Sequence, residues 1–350
     1  MIVGVRAFSR LHFGLMEISP GQPHCYGGVG VMIDSPSMTV EARVGSVAHR
    51  DDMVVDGDPY WADRTRRALE AWQQQNVDEP IPIRSFRVVS APPAHVGLGS
   101  GTQWACSIAA LLELASHGNR DGDRSGSRDR ESPDRCLWPE LFSSARSLAL
   151  CAGRGLRSHV GTEGFRSGGV IVDWGQDPRE AVGHGASRTE AFSFPKGWRM
   201  VTLCDSSYEG DSGSSEAKMF ERCSMTPNPY RHEMIRLIGD EMIPAMRASD
   251  WRAASLAIGR YGQCAGKIFE PLQGGVYRSP RIADCIDHLR QKGIEGAGQS
   301  SWGPTVFALA QDEEQATWVA EVMRCRAAGD ALVRIAHAAP PALYSRDSSS

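Results

Sequence analysis

Between residues 92 and 103 the chain reads Pro-Pro-Ala-His-Val-Gly-Leu-Gly-Ser-Gly-Thr-Gln. This glycine-rich turn follows a strand-like run, Phe86-Arg87-Val88-Val89, and opens a helical pattern of Trp104, Ala105, Ile108, Ala109, Leu112 and Ala115. Glycines lack the Cβ that would keep an anion off the backbone. The first turn of the helix adds unpaired N–H groups at its positive dipole end. Together they favour phosphate, with Gly97, Leu98, Gly99, Ser100, Gly101, Thr102 and Gln103 as the contacting stretch. The hydroxyls of Ser100 and Thr102 can meet phosphate oxygens, or a phosphate-bound magnesium ion for which Ser100 is the best ligand. The spacing fits neither a Walker loop, which needs Gly-Lys-Ser/Thr, nor the dinucleotide fingerprint. A plain strand-to-helix connection can look the same, so the turn alone does not decide.

Elements on both sides must hold this turn in place. Ile2–Phe8, 30–33 and 38–44 read as strands, and 59–75 as a helix with Trp61, Leu69 and Trp72 inward and Arg64, Arg66 and Arg67 largely solvated. Residues 117–135 have almost no apolar content, with five arginines set against five acids, and predict a flexible insertion. Helical pattern returns over 141–152, then a glycine-rich stretch to Gly169 and a strand at 170–173. The second half opens with a strand at 198–204. Helices follow near 215–223, 230–247, 250–268, 281–291 and 312–327, with strands near 304–310 and 332–336. Strands and helices without a regular βαβ beat predict an α+β fold. The expected division is residues 1–195, 196–340 and a disordered tail over 341–350.

Composition narrows the classes. A chain of 350 residues with a formal charge of −4 lacks the basic excess of a nucleic-acid protein. Nine scattered cysteines, without a Cys-x-x-Cys pair, fit reduced thiols in a cytoplasm. The start lacks a signal pattern and no apolar run reaches spanning length, so a cytoplasmic protein without a membrane partner is expected. Ten histidines show no zinc spacing, and no Gly-x-Ser-x-Gly elbow is present.

Pro-x-x-x-Gly-Leu-Gly-Ser resembles the central motif of the GHMP superfamily, which includes galactokinase, homoserine kinase and mevalonate kinase. Ser9-Arg10-Leu11-His12-Phe13-Gly14-Leu15 is similar to its first motif, and Gly296 to Pro304 to its third. Five blocks resemble a non-kinase branch, the β-ribofuranosylaminobenzene 5′-phosphate synthases. They are Arg10 to Leu15, Tyr26-Gly27-Gly28 to Asp34, His95 to Gln103, Gly153-Arg154-Gly155 to Gly169, and Gly298-Gln299-Ser300-Ser301-Trp302-Gly303-Pro304.

The resemblance implies an N-terminal domain like ribosomal protein S5 domain 2, a ferredoxin-like C-terminal domain, and a site in the cleft between them. The implied reaction joins phosphoribosyl diphosphate to 4-aminobenzoate, or 4-hydroxybenzoate, with loss of carbon dioxide and diphosphate, early in tetrahydromethanopterin biosynthesis. Magnesium is the implied cofactor, small molecules are the expected partners, and a homodimer is the expected assembly. Arg10 is a candidate clamp for an anion or a surface ion pair; His12 is a donor or a satisfied buried histidine. Arg154 and Arg157 are candidates for the ribose 5′-phosphate. Tyr26, Gly27 and Gly28 would let a ligand approach the backbone closely, with Tyr26 a candidate wall for the benzoate ring, and Ser300 and Ser301 would close over phosphate or cap a turn. Trp302 is a second candidate wall. Many kinases of the superfamily place a basic aspartate where Thr162 falls; threonine cannot take a proton near neutral pH, and Glu163 is the alternative. Asp205 and Glu216 are further candidates near the metal. An ATP-dependent kinase and a non-catalytic phosphometabolite-binding protein are the competing readings.

Overall fold

The structure, a computed structural model, describes residues 1–47, 54–75, 81–120, 142, 145–152, 157–175, 188–205, 227–327 and 329–347. Two sheets organise it. The larger is built from β1 (Ile2–Leu15), β2 (Gly28–Val47), β3 (Val54–Asp56), β4 (Ile81–Ser90), β5 (Val170–Asp173), β6 (Thr189–Phe192) and β11 (Leu343–Asp347). Its order is β11-β1-β2-β4-β3, and β5 pairs with the first part of β2 and with β6. Helices α1 (Pro59–Gln75), α2 (Ser100–Arg120), α3 (Ala145–Cys151) and α4 (Val160–Ser167) complete this half.

The smaller sheet runs β10-β7-β9-β8, every pair antiparallel, from β7 (Arg199–Cys204), β8 (Ala297–Gln299), β9 (Val306–Ala310) and β10 (Leu332–Ala336). Helices lie between β7 and β8, and one lies between β9 and β10. This is the ferredoxin-like βαββαβ order, enlarged in its first crossover. That crossover holds α5 (Arg231–Arg236), a π-helical stretch (Leu237–Met242), α6 (Ile243–Arg247), α7 (Trp251–Gln273) and α8 (Pro280–Gln291); α9 (Glu313–Arg324) is the second. Asp250, Ser279 and Asp312 cap α7, α8 and α9 by accepting N–H bonds, which fixes where each helix starts. Among the described residues no helix is long and apolar enough to cross a membrane.

Burial explains the arrangement. The first half of β1 sends Val3, Val5 and Ala7 into a core with Trp61, Leu69, Trp104, Ile108 and Leu112 of α1 and α2. The second half sends Leu11 and Phe13 into a different core, shared with Met234, Leu237, Tyr261, Phe307 and Leu309 of the C-terminal half. Strand alternation then turns Arg10 and His12 to the opposite side of β1 from Leu11 and Phe13. A third core packs α8 and α9 on the smaller sheet.

Several boundaries differ from expectation. The strands expected at 30–33 and 38–44 are one strand, β2, interrupted by a register shift opposite Phe8 and Ser9. Residues 117–120, expected in the insertion, finish α2; the rest of the insertion, the helix near 215–223 and Glu216 lie outside the described residues. The tail is corrected most. Leu343–Asp347 is not a disordered end but an edge strand paired with Ile2–Arg6, so the chain returns to its first sheet. Leu343 and Tyr344 followed by Ser345, Arg346 and Asp347 are too short and too polar a run to stand out in the sequence.

Candidate active site

Two helix starts converge on Arg10, in the middle of β1. The glycine turn reaches α2 through left-handed backbone at His95, Gly97 and Gly99, with φ of 61°, 89° and 70°. Gly99 also makes room for a side chain: a Cβ there would stand 3.0 Å from Arg10 Nε. The Arg10 amide donates to Leu98 O at 2.9 Å, pinning strand to loop. Across from α2 lies the first turn of α4, where a Cβ on Gly161 would meet Thr102 Cγ2 at 3.0 Å and Arg10 Nε at 3.8 Å. Gln103 Nε2 donates to Gly161 O at 2.9 Å and holds the two helix starts together. Arg10 therefore lies between two positive helix ends, a concentration of positive potential suited to a multiply charged anion.

The third motif clasps this loop from the C-terminal half. Ser300 is fully buried; its hydroxyl accepts from His12 N at 3.1 Å and donates to Gly97 O at 2.7 Å. Thr305 Oγ1 donates to Val96 O at 2.6 Å, and Ser301 N donates to His12 O at 2.9 Å. A Cβ on Gly303 would collide with the backbone of Val96 and Gly97. Of the two readings for Ser300 and Ser301, closure over phosphate or a capped turn, the structure shows the Ser300 hydroxyl and the Ser301 amide joining the first and third motifs.

His12 proves to be a satisfied buried histidine. Its Nδ1 accepts from Gly14 N at 3.1 Å, which leaves the proton on Nε2, 3.3 Å from Ser158 Oγ. Ser158 Oγ donates to Asp173 Oδ2 at 3.3 Å, and Asp173 also accepts from His159 N at 2.6 Å and Gly175 N at 2.9 Å. Burial, then the charge of Arg10, hold the His12 pKa well below that of a free histidine. The ring is neutral and anchors the start of α4. Sequence reasoning passed over Ser158 and Asp173; the only signal was an aspartate ending an otherwise apolar strand.

The remaining expectations divide. Ser100 is buried at the head of α2 and donates to Pro93 O at 3.2 Å, while its neighbour Thr102 faces Gly161. Gly27 and Gly28 do not open a path for a ring. A Cβ at Gly28 would stand 2.7 Å from His12 Cε1, and one at Gly27 would stand 2.9 Å from Asp173 O, so protein fills both spaces. Tyr26 packs beside Leu15, Ile18, Phe269 and Trp302. Burial pushes its hydroxyl pKa up, and the nearby Arg157 charge offsets part of that. Tyr26, Trp302 and Arg157 are thereby brought to one region; Arg154 lies outside the described residues. A small cavity of about 40 Å³ runs from His12 and Gly14 to Phe269, Tyr277 and Trp302.

Neither candidate for a kinase base is available. Thr162 Oγ1 donates to His159 O at 3.1 Å, within its own helix. Glu163 bonds Arg166 Nη1 at 3.0 Å and the Ser167 hydroxyl, which draws its carboxylate along α4 toward the far end. Among the described residues no cluster of three histidine, cysteine, aspartate or glutamate side chains could hold a metal ion. Asp205 pairs with Arg281 at 3.5 Å beside a separate cavity of the C-terminal half.

A family model described as "GHMP kinases C terminal" matches residues 242–329. The chain is 27% identical to the β-ribofuranosylphenol 5′-phosphate synthase of Methanothermobacter thermautotrophicus, over 90% of this chain and 91% of the relative. The enzyme of the same name from Archaeoglobus fulgidus is 27% identical, over 87% of each chain. Among solved structures, a homoserine kinase from Cytophaga hutchinsonii covers 97% of this chain and 96% of its own, at a TM-score of 0.62 and 14% identity. Mevalonate diphosphate decarboxylase from Staphylococcus aureus covers 99% of both, at a TM-score of 0.64 and 11% identity. The chain has the two-domain GHMP fold and is homologous along most of its length to the archaeal β-ribofuranosylphenol 5′-phosphate synthases.

Proposed function

We propose that the chain is a pentosyltransferase that joins phosphoribosyl diphosphate to a para-substituted benzoate with loss of carbon dioxide. The observation that supports this reading is that Arg10 lies between the starts of α2 and α4, while Thr162 and Glu163, the two candidates for a kinase base, are engaged within α4. Kinase chemistry must remove a hydroxyl proton. Here the ring carbon bearing the carboxylate attacks the anomeric carbon, and the C–O bond to diphosphate breaks with its electron pair leaving on the diphosphate. The ring–carboxylate bond then breaks, its electrons restore aromaticity, and carbon dioxide departs. No proton is abstracted, so the step needs donors for the departing diphosphate and not a general base.

Gly97–Gln103 and Arg10 hold the diphosphate in this reading, and Tyr26 and Trp302 flank the ring. Arg157 meets an anionic end of the substrates, with the 5′-phosphate first in line. The para substituent, amino or hydroxyl, pushes electrons to the attacking carbon; the relatives' name points to the phenol product. Magnesium would enter with the diphosphate and neutralise it. Its ligands would be phosphate oxygens, water and the Ser100 hydroxyl, a sparse protein set of the kind magnesium tolerates. Scattered free thiols fit a cytoplasmic location. The test supplies each benzoate with labelled carboxylate, phosphoribosyl diphosphate and magnesium. Labelled carbon dioxide is expected with at least one of them; folded protein that releases none, or that phosphorylates a hydroxyl from ATP, overturns the reading.

A further inference from the structure

Helix α1 carries a cation that this reaction scheme leaves unused. The sequence pattern put Arg64 among solvated arginines, yet its guanidinium carbon lies 5.6 Å from the Tyr60 ring centre, 6.0 Å from Trp61 and 5.4 Å from Trp104. Trp61 and Trp104 are both buried. Arg64 Nη1 donates to Tyr60 Oη at 3.0 Å, and that oxygen is 2.7 Å from Nε2 of His95, in the glycine turn. Arg64 Nε is buried without a hydrogen bond. Among the described residues no carboxylate pairs with it; Asp63, the adjacent acid, is held by Arg67 at 2.7 Å.

A guanidinium set against ring faces loses part of its water there, and rings replace an anion poorly. Its planar fork suits two phosphate oxygens at once. The position matters as much as the charge. Trp104 is about one helical turn, ~5.4 Å, along α2 from Ser100, and His95 ties the cluster to the other end of the turn. Arg10 stands against Gly99 and Gly161; Arg64 reaches the same turn through Tyr60 and His95.

We propose that Arg64, oriented by Tyr60 and His95, binds the terminal phosphate of the diphosphate group, so that an arginine holds each end of the leaving group. The subsite rests on the phosphoribosyl diphosphate reading for its occupant, and not for its existence. Its two tryptophans supply a direct readout. Inorganic pyrophosphate and ribose 5-phosphate are titrated separately against the full chain with magnesium, following tryptophan fluorescence and heat. Arg64→Gln should weaken pyrophosphate about 10-fold or more and leave ribose 5-phosphate unchanged, with Arg64→Lys recovering part of the loss. Unchanged pyrophosphate binding overturns the subsite; so does selective loss of ribose 5-phosphate, which would put the other phosphate there. If Arg64→Gln does not fold, Tyr60→Phe removes only the orienting hydroxyl and should weaken pyrophosphate a few-fold; no change in that variant also overturns the proposal. Parent protein that binds pyrophosphate through Arg64 yet never turns over phosphoribosyl diphosphate would remove the reaction and keep the subsite.

Discussion

Arg10 is the side chain on which the anion site depends most, because its guanidinium group lies against both the glycine turn and α4. Its replacement by alanine should lower kcat/KM about 10²–10³-fold, or ~2.7–4 kcal/mol, with little change in melting temperature. Arg10→Lys should recover only part, since a point charge cannot match a fork; steady-state rates beside thermal melts check both. His12 gives a different signature. Its folded pKa is depressed, so below about pH 6.5 the unfolded chain takes up a proton that the folded chain refuses. Stability should therefore fall as pH drops below that point, by up to ~1.4 kcal/mol per unit until the folded ring also protonates. Urea titrations at pH 7.5 and 5.5 test this against His12→Gln, which should lose that part of the slope; equal slopes would contradict the buried neutral ring. At this scale the sequence revealed residue types and not their engagements. Ser300 and Ser301 look like phosphate ligands, but their bonds to Gly97 and His12 appear only when distant motifs meet.

The helix starts were easier to read at α2 than at α4. A long apolar periodicity marks α2, whereas Gly161, Gly164 and a length of eight residues conceal α4. The long amphipathic helices α1, α7, α8 and α9 were legible within a few residues, as were β5, β7 and β10. The short β3, β6, β8 and β11 were not, because each offers only one or two apolar residues, whereas β5 and β10 are as short but mostly apolar. The glycines of α4 offer an element-scale prediction. Gly161→Ala gains roughly 1 kcal/mol of helix propensity, but its methyl would press on Thr102 at 3.0 Å and push the two helix starts apart. We expect global stability to change by less than about 1 kcal/mol, while pyrophosphate affinity falls several-fold. Chemical denaturation and calorimetric titration of one preparation separate these effects, and unchanged affinity would mean that the spacing of the helix starts does not matter.

At the scale of the molecule, the two halves are expected to behave as one folding unit. One core contains Leu11, Phe13, Val29 and Val31 from the larger sheet together with Met234, Leu237, Tyr261, Phe307 and Leu309 from the other half. Division near residue 195 follows the sheets, yet not the packing, and β11 carries the chain back across that line. A buried carboxylate strengthens the join. Glu17 is fully buried; Oε1 accepts from the Ile18 and Ser19 amides at 2.8 and 2.9 Å, and Oε2 from Asn228 N at 3.0 Å and Arg231 Nη1 at 3.2 Å. Truncation would strand three amides and a largely buried guanidinium, a loss typically worth about 3–5 kcal/mol. Glu17→Ala should therefore lower the urea midpoint substantially. Because the core is shared, the shift should appear equally in hydrogen exchange of α2 and β4, which Glu17 does not touch, and of α8 and α9. Protection lost only from 227–336, with α2 and β4 keeping the parent midpoint, would show that the halves unfold separately and that the shared core couples them less than its composition implies.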